Sequence, residues 1–465
     1  MSSKKDINIE VSKKGDELKR SMKTHQIMML GIGGTIGTGL FLGSGYVLNQ
    51  AGPGGTLIAY LFGAVIMYMM MLCLGELLIE MPYAGTVQAY ATELINPHMG
   101  FTVGWVKWLS YSITIPSQLV ASSIIMQNIF PGINPLIWIA VFTAMLFILN
   151  VTTVDKYGSS SFVFSSIKFI FIVVFFIIAV GMITGIGSDK AIGFGNFVND
   201  GGLFPNGAKA VIMTMMTAAF AYGGADIFAT AASESENPEK DLPHAIHATI
   251  WGLIIAYVGC LVVLIAILPW RTADLAGSPF AYIFREAGIP AAELIVNVVV
   301  LTSALSSANA FVYSSTRALW AMGNYNQAPK FVSKVDKRKV PMNALIFTMV
   351  FAVAAFMSSQ VGAGTVYLFL TSIIGISNVI VYVLYAVCLI IYRKRVLPSQ
   401  GRTVDDLKFK VPLYPVLPVV LITLCVILFV GMIFDPTQRM ALITGVPTYI
   451  AFYVGSVLYS KKKQS

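Results

Sequence analysis

Apolar residues along this chain neither alternate nor recur at a helical spacing; they come in long runs separated by short polar segments. From Gln26 almost to the C-terminus, stretches of about 18 or more largely uncharged residues follow one another. Each is long enough to cross a hydrocarbon layer ~30 Å thick as a helix. They fall at roughly 26–50, 54–79, 100–128, 134–151, 160–185, 208–231, 245–268, 290–315, 342–358, 363–392, 412–434 and 438–459. The pattern predicts an all-α polytopic membrane protein with about twelve transmembrane helices, the third and tenth long enough to tilt or to pass beyond the bilayer. One membrane domain, 26–459, then lies between polar tails at 1–25 and 460–465.

Composition agrees: 56% of the 465 residues are hydrophobic and 11% are charged, against roughly 25% charged in a soluble domain. A soluble protein of this size is excluded. The net charge of +9 invites a nucleic-acid reading, but the placement of the charge argues against one. Lys and Arg concentrate in both tails, in Lys330–Lys339 and in Arg393–Arg395, while only Lys190, Lys209, Arg271, Arg285 and Arg439 fall on the opposite side. That asymmetry places both termini in the cytoplasm of a multi-pass cytoplasmic-membrane protein, with an even number of spans and with the lipid bilayer, not nucleic acid, as its partner. The first apolar run lacks a small-residue cleavage site, so the N-terminal tail reads as retained. The segment from Glu80 to Pro97 carries no Lys or Arg, which suggests a loop packed against helices. Cys73, Cys260, Cys388 and Cys425 sit in apolar runs without ligand spacing and read as small core residues; neither a metal nor another cofactor is implied.

Two runs are interrupted. Span 1 holds GIGGTIGTGLFLGSG, residues 31–45, and span 6 holds Gly223 and Gly224 just before Asp226. Glycine costs about 0.8–1.0 kcal/mol relative to alanine inside a helix. A single such segment is read equally well as a close helix-packing face. A second one, opening the second five-span half, favours two broken helices of the kind found in inverted-repeat transporters. Released backbone groups are tolerated only where they line an enclosed cavity, and there they suit a zwitterion. The N–H groups around Thr38, Gly39 and Leu40 would meet a carboxylate. Carbonyls near Thr35, and near Phe220, Ala221 and Gly223, would meet an ammonium. The run fails the G-x-G-x-x-G test, because Ile36, Leu42 and Leu48 stand at the sixth positions counted from Gly31, Gly37 and Gly43.

Several strings in order carry a resemblance: GGTIGTGLFLGSG (33–45), GEL and MPYAGTVQAYA (75–91), GFTVGWVKW (100–108) and YGGADIFATAASESENPEKDLP (222–243), with weaker support from SSTRALWAM and QAPKF (314–331). From about Leu18 to the last helix the sequence resembles amino acid permeases of the amino acid-polyamine-organocation superfamily. The resemblance implies a LeuT-like fold, with 26–185 and 208–392 as inverted repeats and two extra C-terminal helices at 412–459. It also implies import of an L-amino acid or related amino compound, coupled to protons in preference to sodium. Carried over residue by residue, the carboxylate site falls on Thr38 and Gly39, the ammonium site on carbonyls of Thr35, Phe220 and Gly223, and Phe220 on a lid position. Two residues depart from the family: Asp226 stands where glutamate is usual, and Lys107, between Trp105 and Trp108, reads as a lysine snorkelling to the interface.

Charges at membrane depth are functional hypotheses by default. Lys168 and Asp226 are the two deep ones, and both are candidates for proton coupling; the family resemblance implies that Lys168 reaches the broken part of span 1. Glu76 and Glu80, ending span 2, and Glu234 and Glu236, ending span 6, read as groups paired with solvent or a loop lysine. Tyr111, Tyr222 and Tyr313 are candidate pocket residues. The competing readings are an exchanger or a non-transporting nutrient sensor of the same fold, and a channel, for which no continuous polar stripe is visible. With Asp226 the only deep acid, the sequence leans toward substrates with uncharged side chains; nothing in it sets the oligomeric state.

Overall fold

In the computed structural model, residues 23–81, 86–151, 154–186, 191–232, 235, 238–273, 278–289, 291–357, 363–434 and 436–464 are described. They form helices and the turns between them. Span 1 is α1 (Thr24–Thr35), a one-turn α2 (Thr38–Phe41) and the first part of α3 (Gly43–Glu80), whose remainder is span 2. The turn between them is set by Gly52, at φ 73°, followed by Pro53. Only glycine takes that backbone region without strain, and proline cannot continue the hydrogen-bond ladder. The next N–H, of Gly54, leaves the helix and donates to Leu203 O at 2.8 Å.

The chain continues through α4 (Val87–Leu94), α5 (Pro97–Ile129), α6 (Pro135–Asn150) and α7 (Val154–Thr184). Span 6 is α8 (Gly207–Ala221) and α9 (Ile227–Ala232), separated by residues 222–226. Span 7 is α10 (Pro238–Ile254), a π-helical turn (Ile255–Gly259) and α11 (Cys260–Ile267). Then come α12 (Pro279–Glu286), α13 (Ala292–Asn324), α14 (Met342–Met349) with a 3-10 extension (Val350–Met357), α15 (Ala363–Ile391), α16 (Val416–Gly431) and α17 (Pro436–Gln464). Starts are capped as expected: Asn96 Oδ1 accepts from Met99 N at 2.8 Å and Asn134 Oδ1 from Leu136 N at 2.9 Å, each with proline at the first helical position.

Among the described residues, seven helices are long and apolar enough to cross a membrane. The most extensive packing is of α5 on α13 and of α3 on α8, with α1 held between α7, α10 and α13. In the most apolar window of α5, 83% of positions are buried, against 33% in α7 and in α16, so α5 is central and those two are peripheral. The outer surface carries exposed Ile148, Ile177, Ile255, Val353 and Leu458, a belt that water would penalise and lipid would not. The basic-free segment after Glu80 is a short helix, α4, packed on α5; residues 82–85 lie outside the described set, as do Glu234, Glu236 and the N-terminal tail before Lys23.

The acids that end span 2 meet arginines, not solvent or lysine. Glu76 is fully buried and bidentate with Arg393, at 2.6 Å (Nε) and 2.5 Å (Nη2), and it also accepts from Val411 N at 2.7 Å. Glu80 pairs with Arg402 at 2.8 Å and accepts from the Tyr392 hydroxyl at 3.0 Å. The ends of α3 and α15 and the following loop are thereby tied at one face. Removing one partner leaves the other as an uncompensated buried charge. Glu76→Ala is therefore expected to destabilise the purified protein by about 3–5 kcal/mol. Thermal unfolding in detergent measures the loss, and Glu76→Ala with Arg393→Met should recover part of it.

Candidate functional site

Both glycine-rich interruptions are breaks, and they lie against each other. A Cβ on Gly39 would stand 2.7 Å from Ala221 Cα, and one on Gly224, which sits at φ +100°, would stand 3.1 Å from Gly34 O. Any side chain at Gly39 would force α2 away from α8, so the backbone-to-backbone approach of the two breaks is written into the glycines.

The first break frees carbonyls, and each is taken up. Lys168 Nζ, from α7, donates to Gly33 O and to Ile36 O, the latter at 2.8 Å. Ser307 Oγ and Ser303 Oγ, from α13, donate to Gly34 O and Ile36 O, both at 3.0 Å. The Tyr60 hydroxyl, from α3, donates to Gly39 O at 3.0 Å. Tyr257 reaches both breaks from the π turn of span 7, with its hydroxyl 3.0 Å from Thr35 O and 2.6 Å from Ala221 O. A hydroxyl carries one proton, so these two carbonyls share a single donor.

In the second break, Gly223 N donates to Phe220 O at 2.8 Å. Phe220 is half-buried beside it. In the first, the Leu40 N–H lies 3.3 Å from Gly37 O, inside the opening turn of α2, and Thr38 and Gly39 stand at the start of that turn, both buried.

Asp226 closes the second break and is not alone. Lys107, from α5, puts its Nζ 2.9 Å from Asp226 Oδ2, donates to Asn378 Oδ1 at 3.2 Å, and lies 4.3 Å from the centre of the Tyr111 ring. Both charged side chains are at least 96% buried. Lys107 therefore does not snorkel to the interface. A lysine and a carboxylate at the same depth are cheaper paired than separately dragged to water, and the long lysine arm covers the reach that aspartate lacks.

Of the three tyrosines, Tyr111 lines a cavity of about 20 Å³ together with Lys107, Asp226, Gln88 and Tyr385. That is room for about one water. Tyr222 instead packs on Tyr257, with ring centres 4.5 Å apart and planes tilted by 33°, and Tyr313 lies under Arg317 at 3.5 Å. Sequence reasoning placed Lys107 at the interface and missed Tyr257, Ser303 and Ser307, polar residues inside apolar runs.

Among the described residues, side chains close over the breaks on two sides. Toward α12, Phe41 packs on Phe280 at 5.0 Å and Phe280 on Phe175 at 4.6 Å, while Ser278 Oγ donates to Phe41 O at 3.0 Å. Beyond these rings opens a cavity of about 240 Å³ bordered by Thr272, Tyr282, Arg285 and Glu293. Toward α4, Gln88 Nε2 meets Gln327 Oε1 at 2.5 Å and Trp105 Nε1 donates to Gln327 O at 3.0 Å. The arrangement can hold a small ligand between two backbone breaks only if one of these closures opens.

Residues 26–465 match the model of a family described as amino acid permease. The chain is similar to the amino-acid permease RocE of Bacillus subtilis (strain 168), with 41% identity over 97% of each chain. It is also similar to the lysine-specific permease LysP of Escherichia coli (strain K12), 33% identical over 94% of this chain and 93% of the relative. The gamma-aminobutyric acid permease of Bacillus subtilis is 33% identical over 96% of this chain and 95% of its own.

The shared donor at Tyr257 gives a stability test. Tyr257→Phe removes the hydroxyl and leaves buried carbonyls of both breaks short of a partner, an expected cost of about 1–3 kcal/mol. Thermal unfolding of the purified variant checks this, and wild-type stability would show that the hydroxyl is not needed to join the breaks.

Proposed function

The chain belongs to the amino acid permease family and is an amino acid transporter of the membrane; from that premise we propose that it imports an L-amino acid or related amino compound by proton symport with alternating access. The observation that carries the reading is the meeting of two broken helices through one tyrosine hydroxyl, with a buried lysine on the carbonyls of the first break. The breaks open spans 1 and 6, in keeping with two inverted five-span repeats, 26–185 and 208–392, followed by two further helices, twelve spans in all.

In this reading the substrate ammonium replaces Tyr257 as donor to Ala221 O and Thr35 O, with Phe220 O and Gly223 O adjacent. The carboxylate meets the N–H groups of Thr38 and Gly39 at the positive end of α2. Phe220 covers the ligand, and Gly224 lets the second break approach the first. Lys168 binds carbonyls that are not substrate groups. Protonated, it ties α7 to the broken span; deprotonated, it loses a donor and the tie loosens, linking proton release to opening. Asp226, paired with Lys107, is the second ionisable site at the breaks.

The orientation follows the basic residues, with both termini in the cytoplasm. A cysteine in place of the exposed Lys337 should then resist impermeant thiol reagents in intact cells, while one in place of the exposed Asn199 should react. The opposite labelling would invert the orientation. Ser278 does not serve this purpose, because it is buried against Phe41.

Coupling is tested in proteoliposomes carrying an imposed pH gradient, alkaline inside. Wild type should accumulate a labelled amino acid above equilibrium, and accumulation should collapse when the gradient is dissipated. Lys168→Ala should lose this accumulation yet keep substrate binding, because Ser303 still holds Ile36 O. Accumulation by the variant at the wild-type level and pH dependence would place coupling elsewhere.

A further inference from the structure

Lys107 is buried at the breaks although nothing in the handling of an amino acid's backbone calls for it. Its ammonium neutralises Asp226, the acid of the second break, and Asn378 joins that pair to the site. Asn378 Oδ1 accepts from Lys107 at 3.2 Å, and the Nδ2 of the same amide stands 2.6 Å from where a Cβ of Gly223 would lie. Tyr111, beneath Lys107, packs on Phe311 at 5.4 Å, and Phe311 in turn stands 3.1 Å from where a Cβ of Gly224 would lie. Asp226 is itself the last residue of the second break, and Lys107 is joined through Asn378 and Tyr111 to the surroundings of Gly223 and Gly224, with both members of the pair lining the small cavity there.

A buried carboxylate without a partner is unfavourable, and a cation arriving on a substrate side chain would relieve it. Here the relief is already supplied from within the chain. We propose that Lys107 is a specificity-determining residue: it occupies Asp226 as an internal counter-ion, so the site offers no net charge to a substrate side chain, accepts amino acids with uncharged side chains and rejects cationic ones. A cationic side chain would have to displace a tethered ammonium that never leaves the site, and specificity is built here by exclusion as much as by attraction. The inference rests on the transporter reading and refines its substrate class.

The test uses purified protein in proteoliposomes with the inside-alkaline gradient and labelled L-leucine, L-threonine, L-phenylalanine, L-lysine and L-arginine. Wild type should favour a member with an uncharged side chain over L-lysine and L-arginine by about tenfold or more. Lys107→Gln, which keeps a polar group and removes the charge, should raise uptake of L-lysine or L-arginine by about tenfold relative to wild type. Lys107→Gln with Asp226→Asn should abolish that gain.

Wild-type preference for a cationic member, or unchanged selectivity in Lys107→Gln, would overturn the proposal. Should Lys107→Gln not be recovered folded, the double variant, which leaves no unpaired charge, decides by substrate binding in a thermal-shift assay, a readout independent of coupling: it must keep the wild-type preference, and a shift toward cationic members overturns the assignment. Failure of wild type to accumulate any member while still binding one in a thermal-shift assay would count against proton coupling alone. Selectivity is then read from binding, with the same two outcomes.

Discussion

An unwound backbone inside a bilayer has no water to bond, and the structure is organised around meeting that demand. The carbonyls of Gly33, Gly34, Thr35 and Ile36 receive bonds from α7, from α13 and from the π turn of span 7. A break that stayed unsatisfied would cost several kcal/mol per group in hydrocarbon. The helices that carry the donors are therefore held in place by the break as much as they hold it. The π turn has a reason in this light: it places the Tyr257 hydroxyl within reach of both interruptions, as local π-helical turns often do at functional sites.

The same economy governs the polar residues of the central pair of helices. Buried serines and threonines lie on α5 and α13, a polarity that the sequence, read run by run, does not show as a stripe. On α5 their hydroxyls mostly turn back on their own helix: Thr114 to Ser110 O, Ser117 to Thr114 O and Ser122 to Gln118 O. Ser112 instead bonds Ser315 across the interface at 2.8 Å. The back-bonded hydroxyls are satisfied within α5, and the serine pair ties α5 to α13. Buried charges follow the rule too, with Glu76 on Arg393 and Asp226 on Lys107.

The helices themselves were legible, because a run of about 20 apolar residues leaves few alternatives. So were the two breaks, whose glycine density contradicts continuous helix, and the turn at Gly52 and Pro53 falls in the gap between the first two runs. Short helices such as α4 and α12 were not, since eight residues give too little periodicity to stand out from a loop. The partners at the site were illegible for a different reason. Lys107, Asp226 and Asn378 belong to three separate runs, and only the packing of α5 against α15 and the second break brings them together. A lone lysine near tryptophans looks interfacial until the depth of its partner is known, and Tyr257 is one aromatic among many in an apolar run.

The two closures are made of different materials. On the α12 side the seal is mainly phenylalanine on phenylalanine, with one serine hydroxyl on a carbonyl; on the α4 side it is amide on amide and indole on carbonyl. Apolar contacts bury surface with a large heat-capacity change and weaken on cooling, whereas hydrogen bonds lack that signature. The two closures thus have unlike thermal responses. On the proposed alternating-access reading, cooling would loosen the ring-sealed closure relative to the amide-sealed one, so temperature alone would tilt the balance between the two open forms, and the equilibrium between them would be curved in temperature even with no ligand bound.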